Sequence, residues 1–311
     1  MDRVRSTSLP IPVRGPLESD RDEVDLTPVR TYWQLVRMRF IRHRLAVIGL
    51  LTMLLLITLA IVIPLATGDS YQKTSLDRAN GAPSLEAPLG YDSIGQNIFV
   101  RLMRGLQTSL LIAFMSVGII IAIGVPAGTL AGYAGGRIDA IIMRIVDVVL
   151  SLPTFFLIVM LVAFFGTGNP AVVIMAIGFT GWTLSCRLVR AEFLRLREAD
   201  YVQAARALGA SGWRIAVRHM LPSAIAPVVV AGTLAIADSV VTEAALSFLG
   251  FGISPPEASL GNMLTRAQDY FFRQPLLVVY PGVLLIIVVL AASFLGDGLR
   301  DALDPRQRVK E

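Results

Sequence analysis

The 311-residue chain is poor in charge, lysine, histidine and cysteine, and each scarcity excludes something. Charged residues make up 16% of it, against about 25% in an ordinary soluble domain. The single cysteine, Cys186, has no partner within the chain, which excludes an intrachain disulfide scaffold and leaves a small packing residue as the simplest reading. The only lysines are Lys73, after Gln72, and Lys310, after Val309. A phosphate-cradling loop needs Gly-Lys-Ser/Thr, so no ATPase site can form here, and no cofactor is expected in this chain. The two histidines, His43 and His219, are too few and too far apart for a zinc site or an intramembrane protease.

What is present is apolar: 54% of residues, with a mean hydropathy of +0.66. No Asp, Glu, Lys or Arg occurs at 45–68, 105–136, 148–186 or 274–296. About 20 mostly apolar residues cross the hydrocarbon layer as a helix. The expected fold is therefore an all-α polytopic membrane protein with six transmembrane helices, near 45–66, 107–131, 141–165, 171–190, 223–248 and 276–296. The 39-residue uncharged run from Val148 to Cys186 is too long for one span, and Gly166-Thr167-Gly168-Asn169-Pro170 divides it with a turn signal. Residues 1–30, with four prolines and scattered charge, read as a disordered cytoplasmic tail rather than a signal peptide. Residues 31–44 mix aromatics with arginines, as an interfacial helix leading into the first span does.

Alternating loops then let arginine bias assign sides. Counted from Arg30, one side receives 18 Arg and Lys residues and the other six. The positive-inside rule places both termini and the loop at about 191–222 in the cytoplasm. The same bias accounts for the net charge of +5 without a nucleic-acid partner.

That fourth loop is patterned as structure. Asp200 offers a cap, Tyr201 to Leu208 read as a short helix, and Gly209 stops it as a C′ glycine does. A second amphipathic stretch, Gly212 to Met220, is expected to end at Leu221-Pro222. The small pair Ala204-Ala205 leaves a knob suited to a groove on a soluble partner; an amphipathic helix lying on the inner leaflet fits the same pattern.

Gln203-Ala204-Ala205, Gly209, His219 and Leu221-Pro222, at this spacing, resemble the cytoplasmic signature of binding-protein-dependent ABC importer permeases, Glu-Ala-Ala-x3-Gly-x9-Ile-x-Leu-Pro. Gln203 and His219 depart from it. His219 is similar to the dipeptide/oligopeptide/nickel branch, as are Gly132 to Asp139, Glu243 to Gly252, Gly261 to Leu264 and Gly296 to Arg306. The resemblance implies a type I ABC importer permease fold and the second of two permease subunits. It further implies a non-catalytic role beside that homologous subunit, two ABC ATPase subunits that bind ATP and magnesium, and an extracellular solute-binding protein, in a bacterial or archaeal cytoplasmic membrane. Peptide is the implied solute, with nickel or another small solute as the alternative. Arg206 joins the coupling residues, and Gly209 serves as helix stop or hinge. Before the second span the family has Gly-Thr-Asp-x-x-Gly-Arg-Asp, where this chain has Gly90-Tyr91-Asp92-Ser93-Ile94-Gly95-Gln96-Asn97. Asp92, Gly95, Gln96 and Asn97 are thus candidates for contact with the binding protein or for the gate.

Asp238 and Glu243 interrupt the fifth span, and an intramembrane carboxylate suggests a pathway or a buried partner. Contact with solute and contact with the other permease subunit both remain open. Pro126, Pro153 and Pro227 are expected to kink their spans. A self-contained secondary transporter would show an internal repeat and more intramembrane polar groups, and neither is visible. A plain membrane anchor would not need the patterned fourth loop.

Overall fold

A computed structural model describes residues 32–303; the expected tail at 1–30 and the basic residues after position 303 lie outside them. Every long element is helical. Tyr32–Arg42 (α1) and Arg44–Thr67 (α2) are separated at His43, whose Nδ1 accepts the Ala46 amide at 3.1 Å and so caps α2. The first span thus falls where the charge-free run places it.

The second span is longer than expected. Ile98–Ala134 (α3) begins nine residues before the expected start near Gln107, because Asn97 caps it from the loop. The Asn97 side-chain oxygen accepts the amides of Phe99 and Val100 at 3.1 and 3.3 Å. Arg101 and Arg104 therefore lie within the helix; a charge-free run marks the hydrocarbon crossing, not the helix end.

The third span is a broken element. Gly136–Leu150 (α4) and Thr154–Phe165 (α5) meet at 84°, so Pro153 breaks the helix where a kink is expected from the sequence. Proline drives its predecessor, Leu152, out of the helical region and lacks the N–H that would continue the ladder. Among the described residues, five helices are long and apolar enough to cross a membrane, and six if the bent pair counts as one span. The turn at 166–169 is as expected: Gly166 and Gly168 have positive φ, and Asn169 accepts the Ala171 amide at 2.9 Å to start Pro170–Leu196 (α6).

After Asp200–Ala207 (α7), the chain corrects two expectations. Ala199, not Asp200, is the N-cap, and no side chain caps the helix; Asp200 sits in the first turn, where a negative charge favours the helix dipole. Leu221-Pro222 ends nothing. Gly212–Arg214 (α8), a π-helical segment Ile215–Met220 and Leu221–Phe248 (α9) form one 37-residue rod, Gly212–Phe248. Pro222 lies in the first turn after the wider π segment, where the hydrogen bond it cannot make is already displaced. Leu260–Gln268 (α10) and Leu276–Leu303 (α11) complete the order.

The main core joins α2, α3, α9 and α11 through Met53, Leu106, Leu110, Val240 and Val288. Between helices in lipid there is little hydrophobic driving force, so close approach and dispersion must hold them. The α3/α6 contact shows this. Gly124, Gly128 and Gly132 form one stripe, and a Cβ on them would lie 2.7 Å from Ser185 Cβ, 2.5 Å from the Cys186 carbonyl oxygen and 2.5 Å from Phe193 Cβ. Cys186 is fully buried there, as a packing residue should be.

Candidate functional site

At the end of the bundle where α3 and α6 finish, α7 stands on an apolar seat. Val202 is its one buried residue, set against Phe193, Leu196, Ile215, Ala216 and Met220, with Ala205 packed at the edge. The opposite face is open: Gln203, Ala204 and Arg206 are exposed. Gln203 donates to the Glu198 carbonyl at 3.1 Å. Gly209 has φ +78°, the left-handed conformation that a C′ residue needs and that costs other residues about 1–2 kcal/mol. Leu208 and Trp213 flank it, 88% and 73% exposed. His219 and Leu221 are half-buried and Pro222 is exposed, so the signature residues divide between a presented helix and the rod that continues it.

Two ion pairs hold α4 at this end. Arg190 donates to both oxygens of Asp139, at 2.5 and 2.7 Å, and Arg187 donates to Asp147 at 2.5 Å. Eight residues separate the pairs on α4, about 12 Å at 1.5 Å per residue, but three on α6, so the two helices meet obliquely.

The opposite end is a cap built from residues 68–97 and 249–275. Asp92 and Asn97 act here as local fasteners. The Asp92 Oδ1 accepts the Ile94 and Gln96 amides at 3.1 and 2.8 Å, and Gly95, at φ +75°, abuts the Ser75 backbone. Gln96 is buried; its Oε1 accepts from Arg101 Nη1 at 2.6 Å and its Nε2 donates to the Gln72 carbonyl at 3.3 Å. Below it, Tyr71 and Arg104 both reach Glu257, at 3.0 and 3.4 Å.

Asp238 and Glu243 are not brought together. Asp238 is exposed on α9, whereas Glu243 has no accessible surface. Ser109 on α3 donates to its Oε2 at 2.6 Å and Ser247 to its Oε1 at 2.7 Å. Each hydroxyl has a fixed direction, because Ser109 also accepts the Leu260 amide at 3.2 Å and Ser247 the Ile253 amide at 2.9 Å. The carboxylate thereby clamps α3, α9 and the connection that precedes α10. Neither serine, nor Arg101, stands out in the sequence: serine in an apolar run reads as packing, and Arg101 reads as a loop cation.

A chain of this kind, with long apolar helices, a short helix presented at one end and a folded cap at the other, is a multi-pass membrane protein. Residues 124–309 match the family described as binding-protein-dependent transport system inner membrane component. Residues 31–88 match the N-terminal transmembrane domain of oligopeptide transport permease C. The chain is 39% identical to the glutathione transport system permease protein GsiD of Pectobacterium atrosepticum, over 92% of this chain and 94% of that one. It is 36% identical to the dipeptide transport system permease protein DppC of Alkalihalophilus pseudofirmus, over 89% and 90%. For the oligopeptide permease protein OppC of Bacillus subtilis the identity is 34%, over 89% and 90%. A structure of the inward-facing MetNI methionine ABC transporter shares the fold, with a TM-score of 0.55 and 24% identity over 65% of this chain and 96% of that one. The chain belongs to the binding-protein-dependent inner-membrane permease family and is a non-catalytic ABC importer permease subunit of the OppC/DppC/GsiD type.

Proposed function

We propose that this subunit forms half of a peptide-conducting pathway and takes its power stroke through α7. The exposed face of α7, mounted on a buried seat that is continuous with the 37-residue rod, carries the reading. A push on Ala204 and the residues around it would pass through Val202 into Ile215, Ala216 and Met220, and so into α9 without an intervening flexible loop. The π segment at 215–220 gives that rod a place to change its winding. In this reading the partners are a homologous permease subunit, two ABC ATPases that bind ATP and magnesium, and an extracellular binding protein. Both termini and the coupling loop at 191–222 are cytoplasmic, as the arginine distribution supports, and α1 is the interfacial helix ahead of a six-span domain.

Peptide is favoured as solute because the similar GsiD, DppC and OppC proteins are named for glutathione, dipeptide and oligopeptide transport. The test uses Ala204→Cys in a chain whose buried Cys186 is replaced by alanine. A short thiol-to-amine cross-linker on the assembled transporter is expected to join Ala204→Cys to a lysine of the ATPase subunit. Gly209→Glu is expected to abolish uptake while leaving insertion and expression intact. Uptake that survives Gly209→Glu, or a cross-link that never reaches the ATPase, would refute the coupling assignment.

A further inference from the structure

The cap holds a pocket of about 300 Å³ to which the coupling helix and the Glu243 clamp contribute nothing. Its walls are residues 92–94, the first turn of α3, α10 with the two residues that follow it, and the start of α11. Two arginines line it. Arg101 is 4% exposed; its Nη1 is held by Gln96, and its Nη2 has no hydrogen-bond partner. Arg266, half-buried on α10, makes no ion pair among the described residues. A buried arginine with an unused donor is costly, so Arg101 Nη2 is a donor in want of an acceptor.

The remaining lining says what kind of acceptor fits. Met263, Tyr270 and Leu277 supply an apolar and aromatic surface beside the two guanidinium groups. Asp92 and Asp269 also line the wall, with no ion pair to either arginine among the described residues. Their presence keeps the pocket formally neutral and disfavours a multiply charged anion such as phosphate. A volume of about 300 Å³ is at the small end of ligand sites and admits a group of one or two amino-acid residues, not a whole oligopeptide. Planar guanidinium groups match a carboxylate, which takes two parallel N–H donors.

We propose that this pocket is a subsite for a carboxylate on a body of amino-acid size, supplied by the free C-terminus of the solute as it enters the pathway. The proposal rests on the peptide reading for the source of the carboxylate, and on the pocket alone for its chemistry. Gln96 contributes by accepting from Arg101, which an arginine at that position could not do.

Two arms test it. In the permease–ATPase complex without binding protein, Arg266 is modified with phenylglyoxal and followed by mass spectrometry. Millimolar N-acetyl-leucine is expected to slow the modification several-fold, while N-acetyl-leucine amide and inorganic phosphate leave it unchanged. Equal protection by acid and amide, or none by either, would overturn the subsite. In the full transporter, uptake of a tripeptide and of its C-terminal amide is compared, each preloaded on the binding protein. Arg266→Gln is expected to lower uptake of the acid about tenfold and leave the amide unchanged, with Arg266→Lys recovering part of the loss. If both fall together with binding-protein stimulation of the ATPase, the carboxylate belongs to the docked protein and the solute assignment is wrong. Protection by N-acetyl-leucine without uptake of any peptide by the unaltered transporter would instead remove the peptide reading and leave the carboxylate chemistry standing.

Discussion

Replacing Glu243 by leucine separates a clamp from a conduit. The side chain is wholly buried and accepts from Ser109 and Ser247. Leucine of similar size leaves both hydroxyls without an acceptor, and a buried donor left unmade costs about 1–3 kcal/mol, so the pair predicts a loss of about 2–6 kcal/mol. Part of this is offset, since leucine has no polar group of its own to desolvate. Glu243→Gln keeps the shape and one acceptor oxygen. Its amide group must face a serine that already accepts a backbone amide, from Leu260 or Ile253, but a hydroxyl has a second lone pair, so a cost of about 1 kcal/mol is expected. Removing the serines together with Glu243 does not restore stability, because the amides of Leu260 and Ile253 are then orphaned. Reversible unfolding of the purified subunit in mixed micelles should give the order wild type, Gln, Leu. Uptake of charged and neutral peptides by the Gln variant should keep its wild-type ratio. A leucine variant as stable as wild type, or a Gln variant with altered charge preference, would refute the clamp.

Three further outcomes follow from the packing. Gly128→Val puts a Cβ 2.5 Å from the Cys186 carbonyl oxygen, a backbone atom that cannot rotate away. The variant should separate α3 from α6 and reduce folded yield in membranes at least tenfold, whereas Gly118→Ala, with open space around it, should express normally. Arg190→Ala breaks the two-point bond to Asp139 and should destabilise the subunit by about 1–3 kcal/mol; Arg190→Lys, which cannot make both bonds, should recover less than half of that in the same unfolding assay. Asn97→Ala removes the cap of α3 and should cost about 1 kcal/mol, with Asn97→Asp close to wild type.

The bundle was largely legible in the sequence because charge exclusion marks hydrocarbon directly, and the turn at Gly166–Pro170 carries its own signals. Helix ends were less legible. Arg101 lies inside α3 because Asn97 caps the chain earlier, and Asp297 and Arg300 lie inside α11, beyond the uncharged run. Pro153 and Pro222 are alike in sequence and opposite in effect: one breaks a span at 84°, the other rides a π segment within a continuous rod. Local proline chemistry does not distinguish them; the π segment that precedes Pro222 does. The close contact at Gly124, Gly128 and Gly132 emerged only from the fold, although small residues at intervals of four are the spacing such a contact uses. The clamp was not readable, because Ser109 and Glu243 lie 134 residues apart and meet only in the fold.

The central claim is that solute crosses this subunit only when an ATPase drives it. Accumulation of a labelled dipeptide in proteoliposomes holding the complete transporter tests that claim most directly, with binding protein on the bilayer face that carries the cap and ATP supplied on the face that carries α7. Accumulation that requires both ATP and binding protein is the predicted result. Accumulation driven by a proton or sodium gradient alone, with ATP absent, would contradict it.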